Sequence, residues 1–440
     1  MTIIITLVLI LLALIGTPLY LIIAAIPLAG NFLQGGSAAS SAIIIGEMFD
    51  RLTSSPTLLA IPLFTFAGYA LAESKTPQRM VTLTRALFGW MPGGLAIVAL
   101  LCCALFTAFT GASGVTIIAI GGLLFPILVN EKYSEKFSLG LLTSSGSLGL
   151  LFPPSLPIIL FAIVALNNFS QLQTAGIELP DAPTVDNLFK ACLLPGILLI
   201  EMLSIYSIQH GLAAKIPTVD FNLKNVVPAL RAALWELPLP VLIIGGIYGG
   251  LFTPTRAAAV TAFYVLVVEV FVYRDLSLSK DIPRIMRESM LLVGSIIVIL
   301  GMAFALTNYL VDLEVPQKIL GFMETFITNK YVFLMMLNIF LLIVGCMMDI
   351  FSAIVVVVPL IMPIALQFNV DPIHLGVIFL LNLEIGYSTP PVGLNLFIAS
   401  FRFRKPVIKL YAATIPFLII LLIALLIVTY FPQLSLWLVK

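Results

Sequence analysis

Charge is scarce in this chain: of 440 residues only 10% are charged, the formal net charge is +1, and histidine occurs twice. A chain this neutral has no basic stripe with which to follow a phosphate backbone, which excludes nucleic acid as a partner. Cysteine is also sparse. Cys102, Cys103, Cys192 and Cys346 sit in apolar segments without metal-ligand spacing, and the adjacent pair Cys102 and Cys103 is poorly placed to form a relaxed disulfide. All four read as small core residues. There is no Gly-x-x-x-x-Gly-Lys-[Ser/Thr] phosphate loop, so ATP is not expected to drive a process through this chain. Nor is there a His-Glu-x-x-His zinc motif or a nucleophile elbow, and the acids occur singly, so the chain is not read as an enzyme.

Apolar sequence, by contrast, is abundant, at 61% of residues, in runs of roughly 17 to 25 residues that recur from end to end. This is the composition of a polytopic helical membrane protein, because lipid offers no partners to an open sheet and the runs lack the alternation of barrel strands. Spanning helices are expected near residues 2–26, 54–74, 188–209, 232–250, 257–273, 288–311 and 409–431. The first of these lacks a basic n-region and is too long for a signal-peptide core, so it is read as retained.

Four regions break this pattern. Residues 94–129 and 331–365 are too long for one crossing and are interrupted by "TGASG" (Thr110–Gly114) and "GCMMD" (Gly345–Asp349). Arms of about 15 residues, roughly 22 Å of helix, fall short of the roughly 30 Å hydrocarbon core, so each region reads as a re-entrant hairpin. Residues 137–167 and 373–401 each contain Gly-x-x-x-Pro-Pro, as "GLLFPP" from Gly149 and "GYSTPP" from Gly386. Proline removes a backbone donor and clashes with the preceding turn, so these are expected to be broken crossing helices. Pro126, Gly149, Pro153 and Pro154 recur as Pro363, Gly386, Pro390 and Pro391, each 237 positions on, so the helix punctuation is an internal repeat.

With the N-terminus in the cytoplasm, the inside segments 75–90, 131–136, 211–231, 274–287 and 402–409 hold 16 of the 22 Lys and Arg. The acidic segment 168–188 then lies outside. The first hairpin opens from the cytoplasm and the second from the other side, so the repeats are inverted. Interrupted segments at matching places in inverted halves point to a transport site near the midplane. Free carbonyls at a break suit sodium, and free N–H ends suit a carboxylate. Small polar side chains gather there: Thr110, Ser113, Ser144, Ser145 and Ser147, then Asn382, Ser388, Thr389 and Asn395. The alternative role for such residues is close helix packing. Asp349 and Glu384 are intramembrane acids, functional by default. Asp349 is assigned as a cation ligand or as the organiser of the second tip. The repeat equivalents of the two acids are Ala112 and Ser147, so the halves differ chemically. Arg231 and Glu236 are expected to pair near a helix end, Glu269 to sit on a scaffold helix or face a partner, and His210 and His374 to be structural.

The stretches "TGASGVTIIAIG", "GSLGLLFPPSLPII", "MMDIFSAIVVVVPLIMPIA" and "HLGVIFLLNLEIGYSTPPVGLNLFIAS" closely resemble the large membrane subunit of tripartite ATP-independent periplasmic (TRAP) transporters, over nearly the whole chain. That resemblance implies an all-α elevator-type transporter of the bacterial inner membrane, with inverted repeats, importing a small organic acid with sodium as coupling ion and no other cofactor. It also implies two partners, a small four-helix membrane subunit and a periplasmic substrate-binding protein. The implied layout is scaffold in 1–93, hairpin and broken helix in 94–168, scaffold and connecting arms in 169–330, the second hairpin and broken helix in 331–401, and a scaffold helix in 402–440. Carried onto matching positions, one sodium site falls on Gly111, Ser113, Ser145, Gly149 and Pro153, and the other on Gly345, Asp349, Asn382, Gly386 and Thr389. Substrate is expected between the tips, against Thr110, Ser113, Ser147, Pro154, Ser388, Pro390 and Asn395. The segment 167–187 is longer than the pattern, on the side where a binding protein docks. Alternatives are a stand-alone carrier of the wider inverted-hairpin superfamily, a membrane-embedded assembly subunit, or an enzyme. The loop charges predict that a phosphatase reporter fused after Lys440 is active outside the cytoplasm; an inactive fusion would reverse the orientation.

Overall fold

The computed structural model describes residues 19–33, 56–174, 181–216, 222–313 and 329–440, with isolated positions elsewhere. The described residues are helical throughout. In chain order they form α1 (Leu19–Leu33), α2 (Ala60–Glu73), α3 (Thr76–Phe88), α4 (Gly94–Thr110), α5 (Ser113–Asn130), α6 (Glu135–Ser145), α7 (Leu156–Thr174), α8 (Val185–Ala213) and α9 (Leu223–Ala232). Then come α10 (Pro238–Tyr248), α11 (Pro254–Val267), α12 (Asp281–Asp312), α13 (Lys330–Met347), α14 (Ile350–Gln367), α15 (Pro372–Gly386), α16 (Leu394–Phe403), α17 (Val407–Tyr430) and α18 (Gln433–Leu436). Eight helices among the described residues are long and apolar enough to cross a membrane.

Local chemistry sets many helix starts. Ser134, Thr184, Thr253, Asn329, Asp349 and Asp371 each precede a helix, and the side chain accepts a hydrogen bond from a first-turn N–H. Such caps matter more in lipid than in water, because the orphan N–H groups have no solvent to turn to.

The four expected interruptions are present, with differences of detail. Each hairpin break is only two residues wide, Gly111–Ala112 and Met348–Asp349, so the arms run to 17 or 18 residues rather than about 15. At 1.5 Å per residue this is roughly 26 Å, close to the core thickness. The region 137–167 bends by 44° between its halves, and 373–401 breaks between Gly386 and Leu394. The segment expected at 232–250 is helical only from Pro238, because residues 233–237 form a turn ahead of Pro238 and Pro240. Most of the expected first helix lies outside the described residues. So does 175–180 within the outside segment, whose start is the end of α7.

Two groups of helices pack internally. One contains α1, α2, α10, α11 and α12. The other contains both hairpins and both broken helices, and α8 and α17, placed with the scaffold by the sequence, pack directly against α4, α6 and α15 within it. The groups meet where α2 touches α4 and α7 and where α12 touches α14. All four cysteines are buried and free. His210 stacks on Phe137 with ring centroids 4.0 Å apart, and the His374 ring bonds the Ser435 hydroxyl and the Thr429 carbonyl, so both histidines serve packing.

The expected Arg231–Glu236 pair does not form. Glu236 instead joins Arg79, whose guanidinium also meets Asp275 at 2.5 Å and Glu269 at 3.2 Å and lies over the Tyr273 ring. Glu269 is therefore buried inside an ion cluster rather than free on a helix face. The four charged groups are 12% exposed or less, and the cluster fixes α3, the segment leading into the first hairpin, onto the end of α11. Removing one member of such a cluster leaves uncompensated buried charge. Arg79→Leu is expected to cost about 3–5 kcal/mol, whereas Arg284→Ala, which breaks only solvent-exposed pairs with Glu73, Asp281 and Glu288, should cost under ~1 kcal/mol. Thermal unfolding of both variants in detergent measures the contrast.

Candidate functional site

The first break starts where α6 ends at Ser145. A short 3-10 turn, Leu148–Leu151, follows, then extended Phe152 and the Pro153–Pro154 pair, before α7 begins at Leu156. The second break runs from Tyr387 to Gly393 and contains Pro390–Pro391, and both Pro–Pro bonds are cis. Proline accounts for the interruption, since it supplies no N–H and its ring excludes the helical turn before it.

Glycine accounts for how closely a hairpin arm approaches each break. A Cβ on Gly149 would lie 2.1 Å from the Ala104 carbonyl oxygen and 2.3 Å from the Ala108 nitrogen, so α4 backbone lies directly on the first break. In the second half, a Cβ on Gly386 would stand 2.5 Å from the Gly345 carbonyl carbon. Gly111 ends α4 with φ of 63°, a left-handed turn that glycine adopts without strain.

Hydrogen bonds then join tips to breaks. The Thr107 hydroxyl donates to the Gly146 carbonyl at 2.7 Å and stands 2.6 Å from the Thr116 hydroxyl. In the second half the Cys346 thiol reaches the Thr389 carbonyl, Gly393 N–H donates to the Cys346 carbonyl, and Ile350 N–H donates to the Tyr387 hydroxyl at 2.5 Å. One Asp349 oxygen accepts from Phe351 N–H and Ser352 N–H, and the other accepts from the Ser352 hydroxyl. Asp349 is exposed and committed to capping α14, which is the tip-organising half of its expected role.

The remaining polar atoms are more telling. Among the described residues, ten buried side-chain atoms have no hydrogen-bond partner: seven belong to the broken helices, Ser144 Oγ, Ser145 Oγ, Ser155 Oγ, Asn382 Oδ1, Asn395 Oδ1 and both Glu384 carboxylate oxygens, and three lie elsewhere, on Asp186, His210 and Thr261. The Cys103 thiol faces Ser145 without reaching hydrogen-bond geometry. Ser145 and Asn382 are repeat equivalents, 237 positions apart, and each stands on the last turns of a helix that breaks. The Asn382 amide donates to Asn338 Oδ1 and the Ile378 carbonyl, leaving only its oxygen open. Buried polar atoms are normally satisfied, so orphan oxygens gathered at two symmetric breaks mark places where a cation or other ligand would complete the shell.

The structure brings Gly345, Gly386 and Asn382 together, since a Cβ on Gly345 would lie 3.3 Å from the Asn382 carbonyl oxygen. Gly149 and Ser145 lie against α4, and Gly111 meets Leu156 at the start of α7, while Ser113 and Pro153 are buried nearby in sequence. Thr389 donates to the Ile385 carbonyl. Of the expected substrate residues, Ser147, Ser388 and Asn395 share hydrogen bonds. Thr110 and Pro154 are buried without a hydrogen bond to that group, and Pro390 is half-buried. Ser155 was not picked out from sequence, where a lone Ser after a Pro pair looks like a turn residue. Glu384 stands out in the sequence as an intramembrane acid but matches no position of the implied sites.

Inverted hairpins, broken helices and buried oxygens at the breaks define a polytopic membrane transporter. The solved structure of the Alcanivorax borkumensis YdaH transporter shares this fold, with a TM-score of 0.66, 12% identity, and cover of 91% of this chain and 89% of that one. The family model for the tripartite ATP-independent periplasmic transporter, DctM component, matches residues 4–434. The chain belongs to that family and is a transporter permease subunit rather than an enzyme. It is 38% identical to the C4-dicarboxylate TRAP transporter large permease protein DctM of Pseudomonas aeruginosa, over 86% of this chain and 85% of that protein. The protein of the same name from Rhodobacter capsulatus is 35% identical, with 86% of each covered. The isethionate TRAP transporter permease protein DctMQ of Oleidesulfovibrio alaskensis is 35% identical over 88% of this chain and 59% of its own length.

The glycine contacts generate a prediction. Gly149→Val would drive its side chain into α4 backbone, which cannot retreat as a flexible side chain can, and is expected to cost upwards of ~3 kcal/mol. Gly245→Ala, at a position open on all sides, should be near neutral. The yield and unfolding temperature of purified protein distinguish them.

Proposed function

We propose that this chain is the sodium-coupled large subunit of a TRAP importer in the bacterial inner membrane, moving a small organic acid by an elevator motion. The single observation carrying the sodium reading is the pair Ser145 and Asn382: repeat-related, fully buried, each with an oxygen lacking a protein partner beside a helix break. Sodium takes oxygen ligands, and break carbonyls together with Ser113, Gly111, Gly149 and Pro153 on one side, and Gly345, Gly386 and Thr389 on the other, would complete such shells. Asp349 acts there by holding the second tip in shape.

The two helix groups support the elevator reading. In it, the group containing hairpins and breaks moves as a unit against the group built on α2, α11 and α12. A carboxylate substrate would sit between the tips, near Thr110, Ser113, Ser147, Pro154, Ser388, Pro390 and Asn395, where helix N-termini favour negative charge. Of the relatives above, the one with the highest identity, at 38%, is named for C4-dicarboxylates, which supports a small carboxylate as cargo. A periplasmic binding protein delivers it, and a small four-helix subunit completes the membrane complex.

Reconstitution tests this. With both partners present, an inward sodium gradient is expected to drive uptake of the acid held by the binding protein, and replacing sodium by choline should abolish it. Uptake by the chain alone would sink the tripartite reading. Asn382→Ala and Ser145→Ala are each expected to raise the half-saturating sodium concentration about tenfold, equivalent to ~1.4 kcal/mol, with folded protein retained; an unchanged sodium dependence removes those residues from the ion sites.

A further inference from the structure

Where the two repeats cross, one side chain connects both breaks. Asn395, on α16, is fully buried. Its amide nitrogen lies 3.5 Å from the Thr143 carbonyl and 3.3 Å from the Ser147 hydroxyl, both on the first broken helix, and 3.5 Å from the Ser388 hydroxyl in its own break. The Ser147 hydroxyl in turn donates to the Glu384 carbonyl at 3.4 Å. Ser147 and Glu384 are themselves repeat equivalents, so this bridge lies where the two halves meet.

These four contacts, three of which share the two N–H groups of the Asn395 amide, differ from those that fix the tips. Thr107 to Gly146 is 2.7 Å, whereas the bridge lengths fall at the long end of hydrogen bonding, where a few tenths of an ångström make or break a contact. The Asn395 oxygen has no donor at all, so the amide is held from one side only. Thr143 and Ser147 flank Ser145, and Ser388 precedes Thr389. A small shift of either break on binding an ion therefore reaches the other break through one amide.

We propose that Asn395 is a positioning residue that couples the two sodium sites, so that ion binding at one break favours binding at the other. This rests on the sodium reading above and gives Asn395 a role between the sites in addition to its place near the cargo. Energetic coupling between sites needs a shared element whose arrangement both sites bias, and the contacts of Asn395 and Ser147 with each other and with Thr143 and Glu384 belong to both broken helices.

The test uses the purified chain in detergent, without cargo, and follows the unfolding temperature as sodium replaces potassium at constant ionic strength. Ligand stabilisation follows mass action, so coupled sites give a steep sodium dependence. For the wild type a Hill slope approaching two is expected. In Asn395→Ala and in Ser147→Ala it should fall toward one, with half-saturation raised several-fold, and the double variant should be no flatter than either single one. Should Asn395→Ala fail to fold, Ser147→Ala decides, since it leaves α16 intact. An unchanged slope in the folded bridge variants overturns the proposal. A wild type indifferent to sodium overturns the sodium reading itself, and the coupling with it.

Discussion

Everything in this structure follows from the need to satisfy backbone hydrogen-bonding groups where no water is available. A continuous helix meets that need by itself, and an interrupted one does not. Each interruption here is met by another piece of the chain. Gly149 lets α4 lie against the first break, Gly386 lies against Gly345 at the second, and Thr107, Cys346 and Tyr387 supply side-chain partners. The breaks are stable because the hairpins cover them, and the hairpins hold their places because the breaks give them something to pair with.

Side-chain satisfaction is less complete: among the described residues, seven of the ten buried side-chain atoms without a partner, on Ser144, Ser145, Ser155, Asn382, Glu384 and Asn395, belong to the broken helices. The same repeat that duplicates the geometry has diverged in its side chains. Asp349 caps the second tip, while Ala112 at the matching place starts α5 with no side-chain cap. A carboxylate stands in one half at Glu384, with a hydroxyl at Ser147 in the other. A symmetric frame thus carries two unequal sets of oxygens.

Much of this was legible in sequence because helix breakers act locally. Proline and glycine impose their geometry wherever they stand, so the two Gly-x-x-x-Pro-Pro segments and the tips were placed from the letters alone. Hairpin arm length was less legible, because small polar residues around Gly111 look like loop and yet remain helical. Long-range pairing was not legible at all. Arg231 and Glu236 are close in sequence and of opposite sign, but Glu236 turns to Arg79, 157 residues away, because α3 folds back onto the end of α11. Nothing local announces that choice. Likewise the packing of α8 and α17 with the broken helices depends on three-dimensional neighbours, and apolar periodicity does not encode which neighbour a helix will have.

The Arg79 cluster also bears on how the chain is made. Arg79 is synthesised well before Glu236, Glu269 and Asp275, the last of which follows 196 residues later. At bacterial elongation rates of about 5–20 residues per second, the guanidinium waits roughly 10–40 s for its complement. During that interval α3 and the first hairpin can already pack on α2, α8 and α9, but the guanidinium lacks its full set of carboxylates. The ion cluster closes only once the segment beyond α11 has been made, so the biosynthetic order makes this one lock of the first repeat depend on the arrival of the middle of the chain.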